Sequence, residues 1–181
     1  PKGIIDHFSE ALRIPENQKY GAFHGKESFK EAIVNFYERQ YGVTLHKDEE
    51  VCILYGTKNG LVALPTCVVN PGETVLLPDP GYTDYLAGVM LADANPVPLE
   101  LEPLNYLPDW NKIDPQVLKD TKLIYLTYPN NPTGSTATQS VFDEAVQRFK
   151  DTDTKIVHDF AYSAFGFDDK NPSILASEHG K

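Results

Sequence analysis

Lys122-Leu123-Ile124-Tyr125-Leu126-Thr127, followed at once by Tyr128-Pro129-Asn130-Asn131-Pro132-Thr133-Gly134, puts two signals back to back. The first is a nearly continuous apolar run, which reads as a strand covered on both faces of a parallel sheet. The second is a turn rich in proline and asparagine that stops the strand abruptly. Upstream, Thr74-Val75-Leu76-Leu77 is a similar strand closed by Pro78-Asp79-Pro80-Gly81-Tyr82. Val51-Cys52-Ile53-Leu54-Tyr55 reads as another, closed by Gly56-Thr57-Lys58-Asn59-Gly60. Downstream, Lys155-Ile156-Val157-His158 runs into Asp159-Phe160-Ala161-Tyr162. A weaker strand spans 97–101, where Pro96 and Pro98 predict a sheet edge.

Helical spacing of apolar residues fills the intervals. It covers residues 3–13, 28–41, 61–69 and 84–91, with a kink expected at Pro65. Val141, Phe142, Ala145, Val146 and Phe149 form one more stripe, with Ser140 and Asp143 resembling a capping box at its start. Residues 103–115, which hold Trp110, read as an irregular connection, and 166–181 as a polar, turn-rich tail. Alternating strands and helices predict an α/β fold of three layers, a mostly parallel sheet with helices on both faces. Ligands gather at the carboxyl ends of such strands. The turns at 56–60, 78–82, 128–134 and 159–162 are all expected there.

The 181 residues carry 16 Lys and Arg against 26 Asp and Glu, a net charge of −10, which argues against nucleic acid as a partner. Mean hydropathy is −0.36 and no apolar run reaches the ~20 residues that span a bilayer, so no membrane partner is expected. Cys52 and Cys67 lie in apolar stretches without metal-ligand spacing and read as buried, reduced thiols of a cytoplasmic protein. Pro1 at the start and no closing element at Lys181 suggest a piece of a longer polypeptide.

The chemistry-bearing residues each have a bland reading. Gly56, Thr57 and Lys58 open a helix, whose free N–H groups and dipole suit a phosphate, but a structural turn explains them too. Tyr82 could stack on a flat heteroaromatic ring or cap the core. Asn131 offers a side-chain amide at a strand end, and paired asparagines exceed what a turn requires. Asp159 places a carboxylate after an apolar strand, a costly position unless a cation or donors meet it. Tyr162 brings a hydroxyl to the same region, while His158 reads as a structural neighbour.

In this order, Gly-Thr-Lys-Asn-Gly, Asp-Pro-Gly-Tyr, Asn-Asn-Pro-Thr-Gly and Asp-Phe-Ala-Tyr resemble the large domain of class I/II aminotransferases, the fold-type I pyridoxal-phosphate enzymes. The stretch 56–82 looks most like the LL-diaminopimelate aminotransferase branch. The resemblance implies pyridoxal 5′-phosphate as cofactor, an amino acid and a 2-oxo acid as substrates, and a homodimer. It places the cofactor phosphate on Gly56, Thr57 and Lys58, and stacks Tyr82 on the pyridine ring. It makes Asn131 and Tyr162 donors to the ring's phenolic oxygen and pairs Asp159 with the ring nitrogen. Tyr20 matches the family tyrosine that reaches the partner subunit's cofactor phosphate, with a packing tyrosine as the competing reading. Residues 1–50 are then N-terminal helices and a dimer-contact loop. Residues 51–181 are the cofactor domain, ending before the Schiff-base lysine; Lys170 and Lys181 read as surface lysines. The fragment alone is expected to be inactive, the substrate arginine also lying outside it. A β-lyase of the same fold, a cofactor-sensing regulatory domain and a plain phosphate-binding module remain as alternatives.

Overall fold

The computed structural model describes residues 1–166 and 170–181. The expected turn-rich tail therefore includes three residues, 167–169, that lie outside the described residues. The chain divides into two compact units, Pro1–Leu54 and Tyr55–Lys181.

The first unit holds α1 (Lys2–Leu12), a short 3-10 turn (Pro15–Gln18) and α2 (Glu27–Tyr41), which stops at Gly42 with φ 68°. On α1 the stripe Ile4, Ile5, Phe8 and Leu12 is exposed rather than buried. Lys30 is buried, and its amino group bridges Glu27 at 2.7 Å and Asp48 at 2.8 Å. Those carboxylates raise its pKa, Asp48 most. The strand expected at 51–55 does not form: among the described residues its backbone pairs with no other strand. Leu54 and Tyr55 are exposed, and so are both cysteines, against the expectation of buried thiols. An apolar run identifies surface that needs cover, without saying what supplies the cover or whether a hydrogen-bonded neighbour exists.

The second unit contains α3 (Thr57–Val68), β1 (Thr74–Asp79), α4 (Asp84–Leu91), β2 (Asn95–Glu100), α5 (Pro115–Asp120), β3 (Thr121–Thr127), α6 (Gln139–Phe149) and β4 (Lys155–Asp159). The four strands are all parallel in the order β2-β1-β3-β4. β2 is an edge strand, as Pro96 and Pro98 require, since neither can donate to a second neighbour. α3 continues through Pro65. Helix α6 begins at Gln139, one residue earlier than the capping-box reading. Thr138 is its N-cap, and its hydroxyl bonds to that of Ser140 at 2.8 Å instead of capping the backbone. α5, unforeseen in the sequence, starts where the Asp114 carboxylate accepts from the Gln116 N–H.

Successive side chains alternate between sheet faces, and this sorts the core into two layers. Val75, Leu123 and Tyr125 point to one face and pack with Tyr85 and Val89 of α4 and, at the margin, Leu61 and Leu64 of α3. Leu76, Ile124 and Leu126 point to the other and pack with Phe142, Ala145, Val146 and Phe149 of α6. Trp110, on a 3-10 turn in the predicted irregular connection, joins this second layer and meets Phe149 edge-on. None of the helices among the described residues is long and apolar enough to cross a membrane.

The same alternation puts His158 on the α6 face, its ring 4.4 Å from those of Phe142 and Phe160. Its Nδ1 accepts from the Ile174 N–H at 3.4 Å, so Nε2 carries the proton donated to the Tyr128 carbonyl at 3.1 Å. Burial lowers its pKa to about 4. This agrees with the structural role read from the sequence.

Two predictions follow from this packing. A Cβ on Gly88 would meet the Val62 carbonyl oxygen at 2.7 Å. Gly88→Ala should therefore push α4 off α3 and cost about 1–3 kcal/mol in denaturant unfolding, despite alanine's better helix propensity. His158 takes up a proton near pH 6.5 when unfolded and near pH 4 when folded, so the native state binds fewer protons in that window and stability falls with pH. Between pH 7 and 5 the wild type should lose about 2 kcal/mol more than His158→Gln, which keeps a donor for Tyr128 but cannot titrate. Equal losses would show that His158 does not titrate in this way.

Candidate active site

Sheet alternation also decides what reaches the carboxyl edge on the α3/α4 face. Thr127 and Asp159 end β3 and β4 and are register partners. They continue the rows of Leu123 and Tyr125, and of Val157, on that face. Asp159 is half-buried, and among the described residues no lysine, arginine or histidine forms an ion pair with it. Its charge is met by two neutral donors. The Tyr85 hydroxyl donates to Oδ2 at 2.7 Å and the Ala161 N–H to Oδ1 at 3.2 Å. The Tyr85 oxygen also lies 2.5 Å from the Thr127 hydroxyl.

A cavity of about 160 Å³ opens beside this carboxylate. Asp159, Tyr162, Asn131, Tyr82, Thr57 and Lys58 all line it, together with Leu61, Thr127 and Ala161. Three of the four turns expected at strand ends do follow strands. The fourth, 56–60, instead opens α3 with no paired strand before it. Gly56 is the N-cap, at φ 86° and ψ 136°, and no side chain caps the helix. The first-turn N–H groups are thus left for another acceptor.

Lys58 departs from its place in the phosphate turn. Its amino group pairs with Asp84 Oδ2 at 2.6 Å, and the Tyr82 hydroxyl donates to the same oxygen at 2.9 Å. Asp84 raises the Lys58 pKa, and Lys58 in turn lowers that of Asp84. The pair is largely exposed and adds little to stability. Asn131 Nδ2 lies 3.4 Å from the Tyr162 hydroxyl, so the two polar groups face one another across the opening. Tyr20 sits in the first unit, fully exposed, so it is not a packing tyrosine within that unit.

Sequence reasoning passed over Tyr85 and Thr127. A signal existed for each: a tyrosine one helical turn beyond Tyr82, and a lone hydroxyl at the end of an apolar strand. Neither is unusual without knowledge of strand register.

The donor set suits pyridoxal 5′-phosphate: an uncapped helix terminus for an anion, a carboxylate without a cation, an aromatic ring between them, and an amide beside a hydroxyl. A family model described as aminotransferase class I and II matches residues 1–180. The chain is 45% identical over 186 residues to the L-glutamine–4-(methylsulfanyl)-2-oxobutanoate aminotransferase of Bacillus subtilis, spanning 100% of this chain and 46% of that protein. It is 39% identical over 181 residues to the LL-diaminopimelate aminotransferase of Halothermothrix orenii, covering 99% of this chain and 46% of the relative. A solved aminotransferase structure from Staphylococcus aureus superposes with a TM-score of 0.96 at 79% identity, over 99% of this chain and 48% of that one. The chain thus spans about half the length of the relatives it matches.

Gly56 generates the prediction here. Its dihedral angles are open to glycine and strained for other residues, so Gly56→Ala should cost about 1–3 kcal/mol and distort the first turn of α3. Denaturant unfolding reads the stability. Amide hydrogen exchange at Lys58 and Asn59 should quicken, and unchanged exchange would show that the turn tolerates a side chain.

Proposed function

The chain belongs to the class I and II aminotransferases, and from that premise we propose that it forms the cofactor-ring site of an enzyme exchanging an amino group between an amino acid and a 2-oxo acid with pyridoxal 5′-phosphate. The observation that carries this reading is the position of Asp159, an ionisable carboxylate without a cation partner, in one cavity with Tyr82, Asn131 and Tyr162. The cofactor would supply a sink for the electrons released when the substrate loses its α-proton. Asp159 holds a proton on the ring nitrogen, since a nearby negative charge favours the protonated form by ~1.4 kcal/mol per pKa unit. Thr57 and Lys58 offer first-turn N–H groups to the phosphate, with Gly56 setting their direction. Tyr82 lies along the ring face. Asn131 and Tyr162 donate to the phenolic oxygen and hold the ring in plane.

The finer parts of the reading rest on less. Tyr20, fully exposed, would reach the phosphate of a partner subunit in a homodimer, and the exposed apolar stripe of α1 supports burial in a larger assembly. Two free thiols support a reducing, cytoplasmic setting. The relatives named above are aminotransferases, which favours amino transfer over β-elimination.

In the full-length protein, Asp159→Asn should slow single-turnover amino transfer by about 10²–10³-fold, the scale of losing one preorganised charge interaction. Cofactor affinity should fall by no more than about tenfold, because the phosphate turn is untouched. A rate within threefold of wild type would remove Asp159 from the mechanism.

A further inference from the structure

The geometry points to Tyr85 as the positioning residue for Asp159, acting as the middle of a hydroxyl relay from Thr127 to the carboxylate. This rests on the reading of Asp159 as the partner of the ring nitrogen.

The direction of the relay follows from counting protons. A phenol has one, and Asp159 as a carboxylate can only accept, so the Tyr85 proton goes to Oδ2 at 2.7 Å. The contact between Tyr85 and Thr127 must then carry the threonine's proton to the tyrosine oxygen. Burial, with the charge of Asp159 added, pushes the Tyr85 hydroxyl far above its ordinary pKa, so it stays a donor at any working pH. Its ring is 1% exposed, stacks on Tyr125 with centroids 4.5 Å apart and meets Tyr82 edge-on at 5.5 Å. Tyr85 therefore has no alternative rotamer within its layer, and it fixes the carboxylate plane while supporting the ring proposed to lie against the cofactor.

The choice of donor matters. A lysine or arginine at this position would hold Asp159 as firmly but neutralise it, leaving no net negative charge for a protonated ring nitrogen. A phenol stabilises the ionised carboxylate over the acid without cancelling its charge. Without that donor the carboxyl becomes more basic, and the shared proton moves from the ring nitrogen towards Asp159.

The test measures binding of pyridoxal 5′-phosphate and of its analogue with carbon in place of the ring nitrogen, by fluorescence titration of the full-length apoprotein. Wild type should prefer the natural cofactor by at least about fivefold and Asp159→Asn should abolish the preference, as expected for a charge-assisted contact. Tyr85→Phe, which removes one oxygen, should shrink the preference at least about threefold and lower the amino-transfer rate about tenfold. Thr127→Val should shift both readouts in the same direction by less, and it carries the test if the Tyr85 variant does not fold. A merely structural tyrosine would weaken both ligands equally; an unchanged preference in Tyr85→Phe and Thr127→Val, with Asp159→Asn abolishing it, overturns the relay alone. No preference in the wild type overturns the assignment of Asp159 and the relay with it.

Discussion

A half-buried carboxylate at the end of a strand is expensive unless its lone pairs are satisfied, and the second unit is organised around that constraint at Asp159. Two parallel strands end side by side, so the last residues of β3 and β4 face the same helix layer. The helix there contributes a phenol and the turn beyond β4 a backbone N–H, and neither carries charge. The carboxylate stays ionised and open towards the cavity. Had α4 offered a cation at the place of Tyr85, the same strand ends would make a closed ion pair, which stabilises little and binds nothing.

Opposite faces of one short strand divide this work. His158 and Asp159 are neighbours in sequence, yet alternation sends the imidazole into the α6 layer and the carboxylate to the α3/α4 edge. The histidine is held neutral between two aromatic rings with both nitrogens engaged, while the carboxylate keeps acceptor capacity free. A shift of one residue in the register of β4 would exchange them, burying the charge and exposing the ring. The apolar contacts of Val157 and Ile156 on either side of the sheet hold that register, so core packing and site geometry are one requirement.

Much of this was legible before any coordinates. β1, β3 and β4 follow from apolar runs bounded by turn residues. α6 follows from its stripe, and the edge position of β2 from two prolines. The turns carrying Tyr82, Asn131 and Asp159 were visible because their residue types exceed what a turn needs. What stayed hidden has physical causes. The stretch 51–55 has the composition of a buried strand, but composition says nothing about whether a pairing partner exists. The thiols were assigned to the interior by the same logic, and the same missing cover exposes them. Thr127, Tyr85 and Asp159 lie 42 and 74 residues from the tyrosine they share. Their contact depends on strand order and register, which a local pattern does not encode.

The two ends of the cavity differ in how firmly they are built, and this bears on what each can do. The Asp159 end is tied to two strands and one helix through buried hydroxyls. The α3 end depends on one glycine's backbone angles and on an exposed ion pair between Lys58 and Asp84. Asp84 and Tyr85 are consecutive on α4, so one helix turn touches both ends. It holds the Lys58 cation through Asp84 and the Asp159 anion through Tyr85. A displacement of α4 would loosen both at once, and the close approach of Gly88 to Val62 keeps that helix seated against α3. Placing a glycine there trades helix propensity for a contact distance that a methyl group would prevent, and the spacing of the two ends of the site depends on it.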